Sequence, residues 1–60
     1  SDAVAAQFRA ERAASGKTQE ETFEAAGISR STYIRLEKGT RVADTTQIAR
    51  LCSAWNLSLA

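Results

Sequence analysis

Between Thr18 and Ser29 the chain carries a helix start, a helix stop and a second helix start, and this spacing constrains the fold more than any other feature. Thr18 and Glu21 stand in the S/T-x-x-E arrangement: the Thr18 hydroxyl accepts from the Glu21 amide while the Glu21 carboxylate reaches back to the Thr18 amide. Gly27 then ends the helix after roughly two turns, by taking a left-handed backbone conformation that a Cβ would penalise. Only Ile28 separates it from Ser29, a favoured N-cap. Two helices this short are marginal alone, so each must find packing partners immediately, across a tight turn.

The remainder of the chain supplies those partners and is all helical. A first helix from about Asp2 to Ser15 is predicted by Ala-rich filling and by Val4, Phe8 and Arg12 at i,i+4 spacing. Asp2 is its expected N-cap, and Gly16 takes the place of a C′ residue. The helix capped by Ser29 is expected to run to about Lys38, with Tyr33 and Leu36 on one face and Ser31, Ile34, Arg35 and Lys38 on the other. After Gly39 and a loop from Thr40 to Ala43, Asp44 caps a fourth helix whose buried stripe is read as Ile48, Leu51, Cys52 and Trp55. Asn56 suits a left-handed C′ position, and Leu57 and Leu59 resemble the approach to a fifth helix that is truncated or absent.

With 60 residues, no proline and one cysteine, the chain is read as a single domain, residues 1–60, without an internal disulfide. Its stability must come from a small core, for which the candidates are Val4, Phe8, Phe23, Ile28, Tyr33, Leu36, Ile48, Leu51, Trp55, Leu57 and Leu59. Cys52 is expected to serve as packing, because no histidine is present to activate it. The absence of histidine, of a phosphate-cradling glycine loop and of metal-ligand spacing argues against an enzyme and implies no cofactor. No apolar run approaches a membrane span, so a cytoplasmic location is expected, nucleoid-associated if the source is bacterial or phage.

The net charge of +1 conceals an uneven distribution. Ser1 to Ile28 carry three basic and five acidic residues, whereas from Ser29 onward five basic residues face two acidic ones. Basic charge therefore gathers around the helix that follows the tight turn. Two short helices pivoting on glycine, the second basic and studded with short polar side chains, form the helix-turn-helix layout, here from about Thr18 to Lys38. Ser29, Arg30, Ser31, Ile34 and Arg35 would supply hydroxyls, guanidinium forks and one apolar contact to base edges in a major groove.

Arg12, Thr18-Gln19-Glu20-Glu21, the stretch from Gly27 to Tyr33, and Leu36-Glu37-Lys38-Gly39 resemble the lambda-repressor-like, Cro-type helix-turn-helix family, also called the xenobiotic-response-element family. The resemblance is gapless from about Phe8 to Leu59. It implies a compact four- to five-helix domain that binds double-stranded DNA in a transcriptional regulator, most often a repressor. It further implies that Ser29, Arg30, Ser31 and Arg35 touch bases, and that Thr18, Gln19, Lys38, Thr40 and Arg41 touch backbone phosphates. Arg12 and Glu37 match a charged pair joining the first and third helices. A homodimer through the C-terminal region or a further domain is a possible partner arrangement. The competing reading is a helical protein-interaction module of antitoxin or regulator-scaffold type that does not bind DNA.

Three departures from the family pattern stand out. Thr22 and Phe23 replace the usual leucine and alanine, and Phe23 is expected to fill volume left by Ala26. Ala43 stands where proline is common, which loosens the loop. The third is the fifth helix.

Overall fold

The computed structural model describes residues 2–57, with side chains from residue 3 onward. In chain order these residues form α1 (Asp2–Ser15), α2 (Gln19–Ala26), α3 (Arg30–Lys38) and α4 (Thr45–Ala54), with no strand among them. All lie within the boundaries expected from capping and periodicity, except that Asp2 is the first helical residue of α1 rather than the residue before it.

The caps explain why the elements start where they do. Glu21 N donates to Thr18 Oγ1 at 3.1 Å and Thr18 N donates to Glu21 Oε1 at 2.9 Å, completing the capping box at α2. Accepting from its own cap holds the exposed Glu21 carboxyl below the usual glutamate pKa, chiefly through the Thr18 backbone amide. Ser29 accepts from Thr32 N at 3.4 Å at the start of α3. Asp44 forms a second capping box, with Gln47 N donating to Asp44 Oδ1 at 2.7 Å and Asp44 N to Gln47 Oε1 at 3.1 Å.

Gly27 ends α2 with φ 68°, and the Ile28 amide donates to the Phe23 carbonyl at 2.9 Å, closing the turn before α3 can begin. A Cβ built at Gly27 would find Arg50 Nη1 at 3.8 Å, an ordinary contact, so the obstacle to substitution is the backbone and not space. Gly27→Ala is therefore expected to lower stability by about 1 to 2 kcal/mol in a urea melt, with Gly27→Asn recovering part of it. Asn56 shows the same tolerance naturally, at φ 60° after α4.

The core gathers where α2 packs against α3 and α4 while α1 packs against α3. Tyr33, Leu36 and Leu51 are fully buried, and Phe8, Ala26, Ile28, Ala54 and Trp55 complete the cluster. The Phe8 and Trp55 rings lie tilted with centroids 5.9 Å apart, joining α1 to the end of α4.

Several expected core positions are corrected. Val4 is 51 % exposed because the inward line of α1 runs through Ala5 and Phe8, and a neighbour along a helix is rotated by about 100°. On α4 the inward set is Leu51, Ala54 and Trp55, at i, i+3 and i+4; Ile48 sits a turn earlier at the margin. Cys52, rotated off that line, is half-buried rather than core. Leu57 follows the left-handed Asn56 and stays partly in water, while Leu59 lies outside the described residues.

Thr22 and Phe23 both contribute to the packing of α2. Thr22 is completely buried and accepts a hydrogen bond from Trp55 Nε1 at 3.4 Å, so the polar substitute at an apolar position satisfies the indole donor across α2 and α4. Phe23 is half-buried and its ring stands 6.3 Å from that of Tyr33, beside the buried Ala26. Ala43 also packs against this cluster, anchoring the loop between α3 and α4.

Candidate nucleic-acid interface

One side of α3 is committed to the domain. Tyr33, Leu36 and Glu37, at i, i+3 and i+4, are all buried. Glu37 is only 4 % exposed, and a carboxylate so placed must be fully partnered. Arg12 Nε donates to its Oε2 at 2.7 Å and Arg12 Nη2 to its Oε1 at 3.4 Å. The Tyr33 hydroxyl donates to Oε2, and Gln19 Nε2 donates to Oε1 at 3.0 Å. Arg9 Nη1 donates to the Glu37 backbone carbonyl, near the negative end of the α3 dipole. One residue of α3 thus accepts from two residues of α1, one of α2 and one of its own helix.

The electrostatics follow from these contacts. Burial alone would push the Glu37 carboxyl up, but the hydrogen bonds from Arg12, Tyr33 and Gln19 outweigh it and hold the group below the usual glutamate range, ionised. Its hydrogen bond in turn raises the Arg12 guanidinium. The Tyr33 hydroxyl, desolvated and turned toward a carboxylate, is raised well above the ordinary tyrosine value and stays protonated as a donor.

The opposite side of α3 is left to solvent. Arg30, Ser31, Arg35 and Lys38 are exposed, and Ile34 is half-buried. Helical spacing sorts them into two stripes, Arg30 with Ile34 and Ser31 with Arg35 and Lys38. The first stripe borders an open cleft of about 470 Å³ shared with Thr18, Gln19, Glu20 and Phe23 from α2 and with Arg12 from α1. This cleft brings together four of the expected contact residues, Thr18, Gln19, Arg30 and Ile34. It also contains Glu20, a carboxylate facing the same space as the Arg12 and Arg30 guanidiniums.

The other expected contact residues lie outside the cleft. Thr40 and Arg41 are exposed in the loop that follows α3. The Thr40 hydroxyl donates to the Arg35 carbonyl at 3.3 Å and its amide to the same carbonyl at 3.1 Å, so Thr40 closes the end of α3. Ser29 similarly spends its hydroxyl on Thr32 Oγ1 at 2.9 Å. Thr18 differs: its oxygen accepts from the Glu21 amide, which leaves the hydroxyl proton for an outside acceptor.

Arg9 and the Gln19 side chain are parts of this arrangement that sequence reasoning misses or places elsewhere. Arg9 precedes Arg12 by three residues, the spacing that puts both on one helix face. Tyr33 and Glu37 are four apart on α3, and a buried tyrosine hydroxyl demands a partner. Among the described residues no group of three or more His, Cys, Asp or Glu is arranged to hold a metal ion, and no helix is long and apolar enough to cross a membrane.

The order of elements, the capped glycine turn and the exposed basic face of the second of two short helices agree with a comparison against known families, in which residues 3–60 match the helix-turn-helix domain. No curated protein and no solved structure matches the chain. The chain belongs to the helix-turn-helix domain family, the DNA-binding modules of the Cro and lambda-repressor type.

Proposed function

We propose that this domain is the sequence-reading part of a transcriptional repressor, entering the major groove of double-stranded DNA with α3. The observation that carries this reading is the division of α3 into a buried side and a solvent side, with Arg30, Ser31 and Arg35 all on the solvent side. In this reading Arg30 and Arg35 address guanine edges, Ser31 adds a hydroxyl contact, Ser29 offers the remaining lone pair of its capping oxygen to a base amino group, and Ile34 meets a thymine methyl. Thr18 and Gln19 at the start of α2, with Lys38 in the last turn of α3 and, just after it, Arg41 and a Thr40 hydroxyl turned away from the Arg35 carbonyl, set the register on backbone phosphates.

A single module with so few contacts binds weakly, and pairing on two half-sites one helical turn apart is the usual remedy. Val42, 84 % exposed, with the partly exposed Ile48 and Leu57, leaves apolar surface in the C-terminal third and supports pairing through that region. The same side chains favour a second reading, a helical module that holds a partner protein without DNA.

A selection on randomised duplex DNA at low and physiological salt separates the two. DNA recognition predicts an enriched half-site and binding that weakens steeply with salt; an apolar protein contact predicts neither. On the selected site, Arg30→Ala and Arg35→Ala are each expected to relax preference at one base position, by about 1 to 3 kcal/mol of discrimination, without lowering the melting midpoint. Unchanged specificity in both variants would remove the base-reading assignment.

A further inference from the structure

We propose that buried Glu37 acts as a positioning residue for DNA, by fixing the Gln19 carboxamide so that one N–H is spent inside the domain and the other is presented to a backbone phosphate. The proposal rests on the DNA reading above and adds a role for a side chain that cannot itself reach DNA.

The argument begins with what an ionised carboxylate allows. Glu37 can only accept hydrogen bonds, so the end of the Gln19 side chain that meets it must be the nitrogen. The 3.0 Å contact from Gln19 Nε2 to Glu37 Oε1 therefore settles the orientation of the amide, which a free surface glutamine would sample both ways. A carboxamide nitrogen carries two N–H groups, and this contact uses one. Gln19 is exposed at the first position of α2 and borders the cleft beside Thr18 and Arg30. Its second N–H, the Thr18 hydroxyl and the first amides of α2 form a set of donors at the positive end of a helix.

Glu37 itself is well anchored. The Arg12 Nε contact of 2.7 Å and the Tyr33 hydroxyl hold the carboxylate from α1 and from within α3. Gln19 therefore docks onto a preset acceptor, and the entropy of ordering a long side chain is spent on folding, before DNA arrives. A helix that reads bases and the side chain that sets its register on a phosphate are thereby joined through one buried group. Moving α3 against α2 would move the phosphate donor with it.

The test is a double-mutant cycle on the duplex recovered from the selection, using Gln19→Ala, Glu37→Gln and the pair, with folding monitored by circular dichroism. Gln19→Ala is expected to weaken binding about ten-fold, the loss of one hydrogen bond to a charged group. Glu37→Gln is expected to weaken it at least as much, and the pair no more than Glu37→Gln alone. The dependence of affinity on salt should keep its slope in Gln19→Ala, because a neutral donor releases no counterion, and should not fall in Glu37→Gln, which removes no cation. Base preference should also be retained. Additive effects, or a Glu37→Gln variant that loses slope and base preference together, would show a merely structural role and overturn the proposal.

Should Glu37→Gln fail to fold, the Gln19 side-chain amide resonances of the unaltered protein carry the test. On addition of the selected duplex, one of the two protons is expected to shift while its partner, turned to Glu37, holds its position; movement of both or of neither overturns the proposal. Failure of the unaltered protein to bind any duplex removes the DNA reading first and this role with it, whereas binding with an uncoupled cycle removes the positioning role alone.

Discussion

Replacing Glu37 by alanine is expected to cost about 3 kcal/mol, the lower end of what breaking a buried ion pair costs. The lower end applies because the Arg12 side chain retains 24 % exposure and can turn to water once its partner is gone. The Tyr33 hydroxyl and the Gln19 amide lose their acceptor in the same step, and the tyrosine is fully buried. At the usual stability per residue, 60 residues total about 3 to 9 kcal/mol, so this one change brings the chain close to unfolding in buffer. Urea melts at neutral pH measure the loss; an unchanged midpoint would mean that the carboxylate is solvated in solution.

The same group makes stability depend on pH, with a definite sign. Because the folded state holds the Glu37 carboxyl below its unfolded value, its contribution is complete above the ordinary glutamate range and is lost as pH falls through the depressed folded value. Melting midpoints of the unaltered protein should therefore drop on the acid side of about pH 4, and those of Glu37→Ala should drop less over the same interval.

Leu51→Ala is the second large loss expected, about 2 to 5 kcal/mol. Leu51 is fully buried on the side of α4 that holds Ala54 and Trp55, and truncation leaves a cavity that the short α2 cannot collapse to fill. Ile48→Ala, a turn earlier on the same helix, should cost markedly less because that side chain is 39 % exposed. Equal losses at the two positions would contradict the inward line drawn for α4.

The contrast between those two residues also shows which parts of this fold are legible in the amino-acid order. Helix starts and stops are local events: Thr18 with Glu21, Ser29, Asp44, Gly27 and Gly39 each act within a few residues, and the elements fall where these signals place them. Which residue of a helix points inward is set by partners elsewhere in the chain. Periodicity favours the larger Val4, yet the fold turns Ala5 and Phe8 inward. Thr22 reads as a departure until Trp55, distant in the chain, is seen to donate to it.

The candidate site divides in the same way. Arg30, Ser31, Arg35 and Lys38 follow from helical spacing once Tyr33 and Leu36 are taken as inward, and their exposure agrees. The pairing of Arg12 with Glu37 is implied by family resemblance alone, not by spacing. That Gln19 and Arg9 converge on the same residue depends on how α1 and α2 lean on α3, a packing outcome that no local pattern encodes.

Trp55 is the single tryptophan of the chain, sealed at 5 % exposure between Phe8 and Thr22, neither of which belongs to α3. The molecule thus contains an intrinsic fluorophore that reports the closure of α1, α2 and α4 by its emission wavelength and is removed from the solvent side of α3. Folding can be followed through this emission while the solvent side of α3 is occupied or altered, without attaching a dye to a surface that has little area to spare.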